Sequence, residues 1–103
     1  MMATIQGSDI RKLVVACEAG MGSSVLLVSQ LRQRLKGTGV EVEHSPVARL
    51  PSDIDVILCH QGLAATARSV APTTVVVPFK MFIGDPAFDV VIKAIKEGGA
   101  LEG

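Results

Sequence analysis

The stretch "VVACEAGMGSSVLL", residues 14–27, decides the fold of this chain. It runs apolar, breaks at Cys17 into small residues, and turns apolar again beyond Ser24. A valine-rich run of this kind suits a strand buried on both faces. The small residues that follow suit a tight passage from strand into helix. Gly20 and Gly22 let backbone N–H groups turn inward without Cβ clashes. Ser23 and Ser24 add hydroxyl donors and can cap the helix they begin. The N-terminal end of a helix carries partial positive charge, which favours a phosphate or a thiolate. A cysteine held there has a lowered pKa and is the better nucleophile at neutral pH. The pattern therefore points to a phosphoryl group carried on sulfur.

Working outward, "RKLVVAC" (11–17) is the first strand and Ser23–Lys36 the first helix. Val25, Val28, Leu31 and Leu35 recur at helical spacing and form its expected apolar stripe. Arg32, Arg34 and Lys36 crowd its last turn before Gly37 and Gly39, and read as a solvated helix end first and a docking patch second. "VEVEHSPV" (40–47) reads as a half-exposed strand that Pro46 pushes to an edge, with His44 in solvent. "DVILCH" (55–60) is a continuous apolar run suited to the sheet centre, and Cys59 in it reads as core. A short helix over 62–70 and a strand over 73–79 follow. The last helix opens with Asp85 as N-cap and Pro86 at its first position. Phe88, Val91, Ile92 and Ile95 make its apolar stripe, and Gly98-Gly99 stop it.

These elements predict a single α/β domain: an open four-stranded parallel sheet with three helices, Rossmann-like in kind. The expected order is 2-1-3-4, counting the strands 11–17, 40–47, 55–60 and 73–79. It centres the two most apolar strands and leaves the two marked by proline at the edges. The connection "ARLPSD" is too short for a covering helix, so it must pass over the first strand. Residues 1–10 are expected to be a flexible N-terminus, 11–98 the domain, and 99–103 a frayed C-terminus. In such a sheet ligands bind beyond the carboxyl ends of the strands, where strand order reverses. Cys17 and His60 both fall there, which makes His60 an auxiliary candidate.

Composition excludes several functions. The 103 residues are 49% hydrophobic and 19% charged, which describes one globular domain. Ten basic residues balance ten acidic ones, so nothing favours capture of nucleic acid or an anionic membrane. Three Phe with no Trp or Tyr offer no platform for stacking bases. No apolar run reaches the length of a membrane span, and "MMATIQGSDIRK" has no signal-peptide core, so the expected setting is cytoplasmic. Two cysteines and two histidines at scattered positions predict neither a disulfide framework nor a metal site, and no cofactor is implied. "GMGSSV" lacks the third glycine of a dinucleotide fingerprint and the lysine of a P-loop.

"VACEAGMGSS" resembles the active-site loop of the IIB components of the sugar phosphotransferase system, especially the mannitol type. That loop reads Cys-(acidic)-Ala-Gly-Met-Gly-Ser-Ser after an apolar strand, and residues 17–24 match it position by position. "LPSDIDVILCH" and "VPFKMFIGDPAFDVVIKAI" carry the similarity onward, so that it spans roughly residues 11–96. Ascorbate-type proteins are next, sharing the cysteine and G-x-G-S-S but not the acidic-Ala step at 18–19.

The resemblance implies a phosphocarrier. It would accept a phosphoryl group on Cys17 from the phosphohistidine of a IIA partner and pass it to a sugar in a membrane IIC transporter, working at the inner face of the membrane without inserting into it. Glu18, Ala19, Gly20, Met21, Gly22, Ser23 and Ser24 would then line the phosphate site, and Met21 with neighbouring aliphatics would meet the partners.

Two rival readings are a non-covalent anion- or nucleotide-binding module and a cysteine phosphatase. Low-molecular-weight tyrosine phosphatases share the strand–Cys-loop–helix arrangement and use an Asp-Pro loop as general acid, which Asp85-Pro86 mimics. Their signature places Arg six residues after the cysteine; here Ser23 stands there, without the guanidinium that would clamp a hydrolytic transition state.

Overall fold

Leu13, Val14 and Val15 have no solvent-accessible surface, and neither do Val56, Ile57, Leu58 and Cys59. Strands with no polar face must be covered on both sides, and these two lie side by side at the centre of a parallel sheet. A computed structural model describes residues 4–17, 22–50, 53–81 and 85–102. Its elements are β1 (Thr4–Gln6), β2 (Lys12–Cys17), α1 (Gly22–Arg34), β3 (Glu41–Pro46), β4 (Val56–His60), α2 (Ala64–Val70), β5 (Val75–Phe79), α3 (Pro86–Glu97) and β6 (Ala100–Glu102). Single 3-10 turns occupy Gly7–Asp9, Val47–Arg49 and Gln61–Leu63.

The four-stranded sheet has the order β3-β2-β4-β5, all parallel. Counting these strands alone, that is 2-1-3-4, with the proline-bearing strands β3 and β5 at the edges. Proline is tolerated there because an edge position can do without one ladder donor.

Alternation along the strands splits the core in two. Leu13, Val15, Val56, Leu58, Val75, Val77 and Phe79 face α1 and α3. Val14, Ala16, Ile57, Cys59 and Val76 face α2. The crossover from β3 to β4 uses only the nine residues 47–55. Its 3-10 turn stands where a helix would, with Val47 and Leu50 packed on the α2 side of the sheet. Asp55 then fixes the amino edge, its carboxylate accepting the N–H groups of Arg11 at 2.8 Å and Lys12 at 3.0 Å. The Lys12 ammonium lies 3.3 Å from Asp53 and 3.5 Å from Glu43.

The helices depart from expectation in their bounds, α1 ending at Arg34 rather than Lys36 and α2 beginning at Ala64 after a 3-10 turn, and in one face. On α1 the buried face is Leu27, Val28 and Leu31, continued by Leu35 just past its end, while Val25 is 53% exposed. Leu27, two positions on, takes the place expected of Val25. Two of the three basic residues at the end of α1 also have intramolecular partners. Arg32 Nε donates to the Val42 carbonyl at 2.8 Å, and Arg34 meets Asp89 of α3 at 2.6 Å. By contrast, α3 follows its signals. Asp85 caps it, Pro86 is its first residue, Phe88, Val91, Ile92 and Ile95 are buried, and Gly98 closes it in the left-handed conformation at φ 75°.

Within the stretches 1–10 and 99–103 the structure describes two further short strands. β1 and β6 form an antiparallel pair, Thr4 to Glu102, Ile5 to Leu101 and Gln6 to Ala100. Ile10 and Leu101 join the core on the α1/α3 side, and Gly7 N–H donates to the Gly99 carbonyl at 2.7 Å. The ladder and these two buried side chains tie both strands to the α1/α3 side of the core.

Candidate functional site

Cys17 is the last residue of β2, in register with Pro46 of β3. On the other side Ala16 pairs with Cys59, so Cys17 is followed across the sheet by His60, and His60 pairs with Phe79 of β5. The row Cys17–His60–Phe79 thus crosses three strands at the carboxyl edge. Strand alternation puts all three positions on the α1/α3 face, two residues beyond Val15, Leu58 and Val77. Four residues, 18–21, separate the end of β2 from Gly22, the first residue of α1. A connection that short brings the open N–H groups of the α1 N-terminus to the edge where Cys17 sits.

Glu18, Ala19, Gly20 and Met21 lie outside the described residues, as do the side chains of Cys17, Ser23 and Ser24. What is described is the frame around them: the strand end, the helix start and the neighbouring strand ends.

His60 caps the 3-10 turn that follows it. Its Nδ1 accepts the N–H of Gly62 at 3.2 Å, and its ring meets Phe79 edge-on, at 6.1 Å between centroids and 90° between planes. Phe79 in turn packs on Phe88 at 5.0 Å, so the ring rests on the core. His44 lies exposed on the edge strand β3, away from this row.

The two cysteines part company. Cys59 is wholly buried among Val14, Ile57, Ala64 and Ala67, and burial pushes its thiol up to about 11. Such a thiol is protonated and unreactive at neutral pH. Cys17, by its position, is the candidate nucleophile.

Asp85 is the functional decoy, and the structure gives it an occupation that sequence reasoning saw only in part. Its carboxylate accepts three backbone N–H groups: Ala87 at 2.9 Å, Lys80 at 2.7 Å and Met81 at 3.0 Å. The bond from Ala87 leads in lowering its pKa, with that from Lys80 next, so the group stays ionised. An ionised carboxylate committed to three amides cannot serve as the general acid of a phosphatase. The bond to Ala87 was legible as a cap; those to Lys80 and Met81 depend on the end of β5 folding back towards α3.

Pro78, Phe79, Lys80, Met81, Asp85 and Pro86 line a cleft of about 430 Å³ along this corner. Several large apolar side chains are exposed, among them Val25 and Leu26 near the start of α1, Met81 after β5, and Val90 in α3. Among the described residues no three of His, Cys, Asp and Glu converge as a metal ion would require. No helix among them is long and apolar enough to cross a membrane.

A family model described as "PTS system, Lactose/Cellobiose specific IIB subunit" matches residues 12–94. The chain belongs to this IIB family. The match begins with β2 and ends within α3, so it takes in the whole parallel sheet and every residue of the candidate row. Similar curated proteins include the PTS system mannitol-specific EIICB components of Halalkalibacterium halodurans and Geobacillus stearothermophilus. The first is 32% identical over 93 residues, 88% of this chain and 20% of the relative. The second is 33% identical over 92 residues, 87% of this chain and 20% of the relative. A mannitol-specific EIICBA component of Buchnera aphidicola is 34% identical over 93 residues, 87% of this chain and 15% of the relative. The IIB chain thus spans about a fifth or less of the length of these relatives.

Proposed function

We propose that this IIB chain is a phosphoryl carrier of sugar uptake, with Cys17 as the residue that holds the phosphate. The reading rests on the place of Cys17 in a IIB-family chain: the end of a central strand, with four residues between it and a helix N-terminus. In the first step the Cys17 thiolate attacks the phosphorus of a phosphohistidine on a IIA partner. The S–P bond forms, the P–N bond breaks, and the electron pair returns to the imidazole of the donor. In the second, a sugar hydroxyl oxygen attacks the same phosphorus and the thiolate leaves with its electron pair. The hydroxyl proton passes to a base on the acceptor side. The N–H groups of residues 18–24 and the hydroxyls of Ser23 and Ser24 hold the phosphoryl oxygens through both steps.

The partners follow from the relatives, whose names join B to C in one chain and, in the EIICBA component, to A as well. The chain would meet a IIA protein or domain and a membrane IIC transporter, and work at the inner face of the membrane. Val25, Leu26 and Met81 suit these contacts, because exposed apolar groups around a reactive centre favour brief docking over permanent assembly. A mannitol-like hexitol is the proposed sugar, after the mannitol-specific relatives.

A carrier must keep its phosphocysteine until the next protein arrives. Ser23 in place of a clamping arginine and Asp85 in place of a free acid both favour keeping over hydrolysis. The test is a relay driven by labelled phosphoenolpyruvate through a phosphorylated IIA. The wild-type chain takes one label on Cys17, Cys17→Ser takes none, and the label leaves on addition of IIC with mannitol. Label retained by Cys17→Ser, or lost to water faster than to sugar, would sink the proposal.

A further inference from the structure

His60 is engaged through one ring nitrogen. Its Nδ1 accepts the Gly62 N–H at 3.2 Å, and a ring nitrogen that accepts carries no proton. In the neutral ring the proton then sits on Nε2, and the edge-on contact with Phe79, itself packed on Phe88, steadies the ring. The register puts His60 beside Cys17 on the neighbouring strand and on the same face of the sheet. Adjacent strands run about 4.8 Å apart, within reach of an imidazole. A polar side chain engaged through Nδ1 thus stands on the strand next to the one position where this reaction places negative charge.

We infer that His60 acts through Nε2–H as a hydrogen-bond donor to the anion at Cys17. It serves the thiolate before loading and a phosphoryl oxygen after it. The inference rests on the carrier reading of Cys17. No proton is transferred in this role: Nε2–H stays on the ring while the S–P bond forms and breaks. A donor already oriented costs no reorganisation at the moment of transfer. Asn and Gln separate this role from a merely structural cap. His60→Asn keeps an acceptor near Nδ1, and hence the cap on Gly62, but has no donor where Nε2 stood. His60→Gln reaches the Nε2 position with an N–H donor and gives up the cap.

The experiment measures label transfer from phosphorylated IIA to each variant, with thermal unfolding as a check on folding. His60→Asn should slow transfer about ten- to a hundredfold, the worth of a hydrogen bond to a charged group, while His60→Gln stays within a few-fold of wild type. The reverse order, or wild-type rates in both variants, would overturn the inference and leave His60 a cap. Should both variants be slow, proton–nitrogen correlation spectra of the wild-type chain decide. A proton on Nε2 that moves downfield when Cys17 is loaded supports the donor role, and a proton on Nδ1 or an unmoved signal overturns it. Wild-type chain that takes no label at all would bring down the carrier reading and this inference with it, whereas variant results alone bear only on His60.

Discussion

Asp85 shows how one residue can carry two structural duties that a sequence pattern separates poorly. As an N-cap it stabilises the first turn of α3, and as an acceptor for Lys80 and Met81 it holds the corner beyond β5. Asp85→Ala leaves three backbone donors without their acceptor and should cost about 2 kcal/mol in denaturant unfolding at neutral pH. Its pKa is lowered in the folded chain, chiefly by the bond from Ala87. The stabilisation is therefore present above the ordinary carboxylate range, near pH 4, and is lost as pH falls through the lower folded value. Asp85→Asn should accordingly differ from wild type at pH 7 and converge on it towards pH 2, measured as urea midpoints. A constant difference across that range would show that ionisation of Asp85 contributes nothing. The Asp-Pro pair was legible as a cap because capping is local. The bonds to Lys80 and Met81 were not, since they need the end of one strand brought to the start of a helix.

At the scale of elements, α1 marks the limit of periodicity. Val25, Leu26, Leu27 and Val28 are all apolar, so the stripe can be phased more than one way, and only contact with the sheet chooses. The structure buries Leu27 to 2% and leaves Val25 and Leu26 half in solvent. Leu27→Ala should cost about 2–5 kcal/mol, whereas Val25→Ser should change stability by no more than about 0.5 kcal/mol. Urea unfolding of the two variants checks this, and equal losses would contradict the assigned face. α3 was plainer: Phe88, Val91, Ile92 and Ile95 recur at helical spacing, and Asp85, Pro86 and Gly98 fix both ends. The central strands were equally plain, because a continuous apolar run with no polar alternation fits a site covered on both faces.

For the molecule as a whole, the pairing of β1 with β6 closes the α1/α3 side of the core, and Gly7 is the residue on which that closure turns. A Cβ at position 7 would stand 1.6 Å from the Ala94 carbonyl oxygen and 2.3 Å from its carbon, both backbone atoms of α3. Neither can give way without shifting a helix. Gly7→Ala should therefore destabilise the fold by about 1–3 kcal/mol and lower the melting temperature by several degrees, read by calorimetry. An unchanged melting temperature would mean that the 7–9 turn is not seated on α3.

By itself the sequence determined the strands that must be central, the capped ends of α3, and a cysteine placed at a strand-to-helix passage. Each is set by residues near one another in the chain, through burial, capping and backbone freedom. Only the tertiary structure decided the buried face of α1, the pairing of β1 with β6, and the seating of the His60 ring against Phe79. Those depend on which surfaces meet when strands distant in the chain come into register, and no local pattern encodes that meeting.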